Sequence, residues 1–315
     1  MISLLRSHRD AWTSCTRIVL SITLSAPLAC SGESASSTTA SVVRDSSGVI
    51  ITEHDLMQLT GTCAIDPTPT LSIGVEEGDE VYMLSDVSGA ARLSDGRILI
   101  AQRSTHDIRY YDSTGTFLRT SGRQGRGPGE FSSPYHVHVR PGDTVYVGDY
   151  EPFQFLVFAP DGSWLRTVRP TPLNSPRTVN VLASGALMLG QENRGAPDPA
   201  AFAERSLTLA RYNAEGTLRD TVGDVAMGRY GQINPAPGAI WTFPLFESFG
   251  QMYARGDRIV TGHASEPELR MRRDDDAMTL DRIIRWNAGP RDISAGDIAA
   301  ERARVAKRYE NLEQG

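Results

Sequence analysis

Cysteine is scarce in this 315-residue chain, which has only three. Cys15 falls inside an export-like N-terminal segment, Cys30 stands at its end, and Cys63 is alone. No pair remains to staple a disulfide-dependent domain, and an isolated Cys63 reads as a small buried hydrophobe. A basic excess is missing too: the formal net charge is −6. Arg6, Arg9 and Arg17 concentrate positive charge at the N-terminus, so the remainder is more acidic still. Phosphate-backbone binding needs a basic footprint, which excludes nucleic acid as the main partner. The apolar run from Ile18 to about Ala29 is too short to span a bilayer as a stable anchor. The Gly-x-Ser-x-Gly elbow, the zincin helix and the Walker lysine are all absent.

What is present begins with an export signal over residues 1–29, with a positive n-region and a short apolar core. It ends in Pro27-Leu28-Ala29-Cys30, followed by Ser31-Gly32. This resembles a bacterial lipobox, although Pro27 and Leu28 depart from its preferred residue types. The resemblance implies lipidation of Cys30 and, with Ser31 in place of aspartate, an outer-membrane lipoprotein facing the periplasm. The alternative is ordinary cleavage nearby, giving a soluble periplasmic or secreted protein. Residues 30–42 have the Ser, Thr, Ala and Gly content of a flexible tether.

From residue 43 the chain alternates short apolar strands with Gly-, Asp- and Pro-bearing turns, and four units align. Their first turns carry Gly96, Gly142, Gly185 and Gly256, at steps of 46, 43 and 71 residues. Two steps have the ~40–50-residue length of a four-stranded propeller blade. The third is lengthened by insertions at 192–204 and 228–244. Between the first two units lies Gly125-Arg126-Gly127-Pro128-Gly129-Glu130-Phe131, with Pro134 after it. It is no dinucleotide fingerprint, because Glu130 stands at the third glycine position and no helix follows. It reads as a tight connector between blades.

That run, with Val147-Gly148-Asp149, Val157-Phe158 and Asp161-Gly162, resembles the NHL repeat. The chain from about Val42 is similar to bacterial six-bladed β-propeller lipoproteins of the NHL/TolB-like class. The expected fold is therefore all-β, with blades over 43–290. Four visible blades against the family's six point to a truncated or degenerate member. The family closes its ring by pairing an N-terminal strand with the last blade, a role that fits Gly48–Thr52 and Leu71–Gly74. Residues 291–315 read as a C-terminal helical segment, capped by Ser294 with Asp297 three residues on.

Candidate chemistry is sparse. Each apolar second strand closes on a polar residue: Gln102, Asp149, Gln191 and His263. In a propeller these equivalent positions surround the axis, where they form either a ligand- or metal-holding ring at one channel mouth or ties to neighbouring loops. His136 and His138 alternate on one strand and share a face. Asp274-Asp275-Asp276 lacks the ligand spacing of a calcium loop. The sequence supports a binding or scaffold module without a cofactor, anchored to membrane through its N-terminal lipid, for an unidentified protein or small molecule. The insertions at 192–204 and 228–244, with Tyr230, Trp241, Phe243 and Phe246, are the expected recognition surface. The alternatives are a channel-metal enzyme (a lyase or lactonase-like hydrolase using Ca²⁺, Mg²⁺ or Zn²⁺, with His263 and Asp149 as ligands) and a non-functional remnant.

Overall fold

The computed structural model describes residues 2–3, 41–58, 64–172, 176–194, 202–233, 240–287 and 292–313. Cys30, Cys63, nearly all of the expected signal peptide and the tether up to residue 40 lie outside the described residues. So do the middles of both insertions, 195–201 and 234–239.

Four antiparallel meanders follow one another along the chain. The first blade comprises Val87–Arg92, Ile98–Gln102, Asp107–Tyr111 and Phe117–Ser121. The second comprises Pro134–Val139, Val145–Tyr150, Phe153–Phe158 and Trp164–Val168. The third comprises Thr178–Val181, Leu187–Arg194, Ala203–Tyr212 and Leu218–Ile233, with Ile240–Thr242 beyond its edge. The fourth comprises Gly250–Arg255, Arg258–His263, Glu268–Arg273 and Leu280–Asn287. The fold is a β-propeller-type array of four-stranded blades; among the described residues, helix is confined to the short 3-10 turn Leu56–Gln58 and the helix Ala295–Glu313. Ser294 Oγ accepts the Asp297 N–H at 3.1 Å and the Asp297 carboxylate accepts the Ser294 N–H at 2.9 Å, a reciprocal N-terminal cap.

The physics of the array lies in its middle strands. Ile98–Gln102 is buried along its whole length, as is all of Phe153–Phe158 but its first residue, because both faces of these strands are covered, by a neighbouring blade or by the N-terminal segment. Outer strands such as Phe117–Ser121 meet solvent and carry Arg119 and Thr120. Gly96, Gly142, Gly185 and Gly256 all take positive φ, which fixes the first hairpin of every blade where the turns predicted it. The first and second blades share a core of Leu99, Ile108, Tyr110, Phe131, Val145, Leu156 and Phe158. Second and third meet through Tyr146, Phe155, Val179, Leu187 and Tyr212. Third and fourth meet through Leu182, Met188, Leu207, Met252 and Ile259.

At each junction an arginine also reaches the third hairpin turn of the next blade. Arg97 Nη1 donates to Pro160 O at 2.7 Å, Arg166 Nη1 to Ala214 O at 2.8 Å, and Arg211 Nη1 to Asp275 O at 2.5 Å. Arg211 is fully buried and also engages the carboxylates of Asp220 and Asp274. The acidic turn 274–276 thus holds a guanidinium.

Two N-terminal segments differ from expectation. Val49–Asp55 does pair with the last strand of the fourth blade, but in parallel, from Ile50 opposite Arg282 to Asp55 opposite Asn287. Because that blade already has four strands, the hairpin formed by Ser41–Ser46 and Val49–Asp55 enlarges it to six. It does not supply a missing strand. Leu71 and Ile73 take no part in this sheet. They pack with Tyr82 and Leu84 on Ile98, Ile100 and Tyr111, covering the face of the first blade that lies away from the second. The apolar face of the first blade needed cover, and the nearest chain supplied it.

Candidate binding site

The connector settles into a closed loop around one carboxylate. Glu130 accepts the Gly127 N–H at 2.8 Å and pairs with Arg123, while Gly125 N–H donates to Phe131 O at 3.0 Å. These bonds hold the Glu130 carboxyl below its usual range, the Gly127 N–H contributing most. A Cβ on Gly125 (φ +157°) would stand 2.1 Å from Glu130 Oε2, so the loop leaves no room for a side chain there. Gly129 and Pro128 follow in the turn, and Phe131 is driven wholly into the core against Phe158, ring centroids 5.7 Å apart. The N–H groups of Gly125, Gly127, Glu130 and Phe131 are all taken up within the loop, which argues against a phosphate cradle.

Pro134 opens the inner strand of the second blade, and the polar strand ends sit nearby. Gln102 is buried, accepts the Ser85 N–H at 2.9 Å and donates to Asp107 at 3.2 Å. Asp149 is buried and accepts the Ser132 N–H with both oxygens (3.1 Å each), the Ser133 N–H, and Gln154 Nε2 at 3.1 Å. Four accepted bonds fill a carboxylate's capacity. Both residues thus clip the chain entering a blade to the blade's own strands. Gln191 and His263 are only partly buried, and His263 Nδ1 lies 2.5 Å from Ser265 Oγ. No hydrogen bond joins any two of the four, and among the described residues no three His, Cys, Asp or Glu side chains gather as a metal site.

The residues that do converge lie just beyond these strand ends. Arg103 follows Gln102, Tyr150 and Glu151 follow Asp149, and Arg177 meets Glu192, which follows Gln191. Strand alternation explains the shift: when the last core residue points into its blade, the next points out at the mouth. Arg103, Ser133, Tyr135, His136, Tyr150, Glu151, Pro176 and Arg177 line an open cavity of about 500 Å³ between the first three blades. That is within the usual ~300–1,000 Å³ of small-molecule sites.

Its floor is aromatic. Tyr135 packs edge-on to His136 (4.7 Å between centroids) and to Tyr150 (5.3 Å), and Tyr150 packs on Phe153. Tyr150 donates to Pro176 O at 3.1 Å, and His136 Nε2 lies 3.3 Å from the same hydroxyl. A hydroxyl has one proton, so this arrangement assigns the His136 proton to Nε2 and leaves Nδ1 an acceptor. Burial pushes His136 and His138 down to about 4, so both are neutral near pH 7. For His138 the charge on His136 adds to the effect. Burial likewise raises the Tyr150 phenol.

The charges in the cavity are largely matched. Arg103 forms a bidentate pair with Asp86 (2.8 and 2.9 Å) while its guanidinium lies 5.7 Å from the Tyr135 ring centre. Arg177 pairs with Glu192 at 2.9 Å. Glu151 forms no ion pair among the described residues.

The inserted segments behave differently from a free loop. They lengthen the third blade's strands into a ribbon in which Arg205 pairs with Glu192 and lies 5.1 Å from both the Tyr230 and Phe243 ring centres. Phe246 is 45% exposed, and the Trp241 side chain lies outside the described residues. The ribbon is therefore tied to the cavity's edge by the Glu192–Arg177 pair, and its described aromatics mostly pack on one another.

No protein-family model matches the chain, and no curated protein matches it significantly. Solved structures do. A candidate exported protein of Bacteroides fragilis aligns at 14% identity and a TM-score of 0.44, over 69% of this chain and 56% of that one. The chain thus spans just over half of that protein's length. A streptogramin B lyase aligns at 11% identity and TM-score 0.30, over 62% of this chain and 82% of the other. A gluconolactonase of Xanthomonas campestris aligns at 13% and 0.27, over 56% and 69%. Likenesses this distant fix neither family nor activity, and the fold assignment rests on the four sheets themselves.

Proposed function

We propose that this chain is an exported, lipid-anchored β-propeller binding module, related to the six-bladed NHL/TolB-like lipoproteins. In this reading residues 1–29 direct export, Cys30 carries the lipid, 30–42 is the tether, and the array from residue 43 presents a ligand site at one end. The observation that carries the binding reading is the cavity itself, where three successive blades bring aromatic, guanidinium, hydroxyl and carboxylate groups together. Among the described residues no hydrogen bond joins Ser133 to His136, and that histidine is neutral and already bonded to Tyr150. Gln102 and Asp149 support the same reading, since their polar atoms already serve the chain and offer little to a channel metal.

The test is a thermal-shift screen of the purified full chain against small-molecule libraries, run beside Ser133→Trp, which fills the cavity. Ligands should raise the wild-type melting temperature, by mass action, and leave the filled variant unmoved. A screen without hits, or hits that persist in Ser133→Trp, removes the binding reading. Labelled palmitate should enter the wild type but not Cys30→Ser, with the label in the outer-membrane fraction. Stoichiometric Ca²⁺, Mg²⁺ or Zn²⁺ in the purified protein would turn the reading towards a metal enzyme.

A further inference from the structure

The chemistry of the cavity narrows what it takes, and the inference rests on the binding reading above. We propose that the ligand class is a neutral carbohydrate, a mono- or disaccharide unit seated on Tyr135.

The first argument is charge. Arg103 is matched by Asp86, Arg177 shares the Glu192 carboxylate with Arg205, and Glu151 adds a carboxylate with no ion pair among the described residues, so the site carries no net positive charge. A phosphate or carboxylate ligand would have to displace those partners and approach Glu151, so an anion is disfavoured. A purely apolar ligand would desolvate Glu151, Ser133 and the guanidinium edges without replacing their bonds, which costs more than it gains.

The second argument is the arrangement of donors and acceptors. Asp86 occupies Nε and Nη2 of Arg103, leaving the Nη1 edge to donate. Ser133 has a hydroxyl with no bond among the described residues, Glu151 accepts only, and His136 offers Nδ1 as an acceptor. Tyr135 is 40% exposed, so part of its ring is open to an apolar C–H surface. Ion-paired guanidinium donors, a carboxylate acceptor and an open aromatic ring complement a molecule with many hydroxyls and one apolar face. A pyranose has that form, and the cavity volume suits one or two such rings.

Binding of the full chain to an array of neutral and acidic oligosaccharides tests this, with hits followed by calorimetry. Neutral glycans should bind, with little salt dependence. Tyr135→Ala should weaken binding roughly tenfold, the size of one aromatic contact of ~1.4 kcal/mol, whereas Tyr135→Phe keeps the ring and should retain it. Binding confined to acidic glycans, or neutral-glycan binding indifferent to Tyr135→Ala, overturns the proposal. No glycan binding overturns it as well, and the small-molecule screen then decides separately whether the cavity binds anything. Circular dichroism of Tyr135→Ala must match the wild type. If that variant does not fold, Glu151→Gln and Ser133→Ala serve instead, each expected to weaken a neutral glycan severalfold.

Discussion

The junction between the first and second blades and the junction between the third and fourth do the same job with different physics. At the first, Phe131 stacks on Phe158 inside an apolar cluster, and the arginine that reaches across, Arg97, keeps 27% of its side chain exposed. At the last, Arg211 is fully buried among Asp220, Asp274 and two turn carbonyls, and Asn180 bridges the inner strands by accepting the Ala254 N–H at 2.9 Å. The first junction is chiefly apolar packing, with hydrogen bonds such as Arg97 to Pro160 O and Ser94 to Asp143 around its edge. The last depends on charge. A repeat can therefore keep its blade geometry while exchanging what glues one blade to the next.

That contrast can be broken residue by residue. Phe131→Ala should cost about 4 kcal/mol, as for a large buried aromatic, read from urea denaturation and unchanged between low and high salt. Asp149→Ala leaves the Ser132 and Ser133 N–H groups and Gln154 Nε2 without their acceptor, and should cost about 3 kcal/mol. Arg211→Met should cost about 2 kcal/mol, less than the ~3–5 of a fully desolvated pair, because Asp220 stays 38% exposed. The pH dependence has a definite sign. The hydrogen bond from Arg211 holds the Asp220 carboxyl below its ordinary 3.8, so its contribution is present above that pH and fades as pH falls through the lowered value. The gap between wild type and Arg211→Met should therefore shrink below about pH 4, while the Phe131→Ala gap does not. The smallest effect belongs to Gln191→Ala. Although it is equivalent to Asp149 in the repeat, it is only partly buried, and the change should stay within about 0.5 kcal/mol.

Local features were legible in the sequence. Turn glycines set the hairpins, alternation set the strands, and the Gly125–Phe131 run marked a connector. The polar strand ends were found, but their neighbours, Arg103, Tyr150 and Glu192, were not. Finding these requires knowing which residue is the last to point inward, and bulges at Val87/Gly89 and Val147/Asp149 shift that register. A usable signal was there: a polar or aromatic residue directly after each closing position in three units. The arginines that cross the junctions sit at different places in each blade, in the first hairpin (Arg97), the fourth strand (Arg166) and the third strand (Arg211), so no repeat spacing exposes them. The cover over the first blade and the parallel pairing of Val49–Asp55 depend on contacts remote in sequence, which alternation cannot report.

The parallel pairing has a consequence in time. Each blade's hairpins join residues close in sequence and can form early, whereas Leu56 donates to Asn287 across 231 residues, at 2.8 Å. The entropy of closing so long a loop grows only slowly with length, but remote contacts of this kind delay folding more than they weaken the product. A hairpin made early must wait for one of the last strands of the array. Docking of the N-terminal hairpin is therefore set to be the final event of folding, after the blades stand.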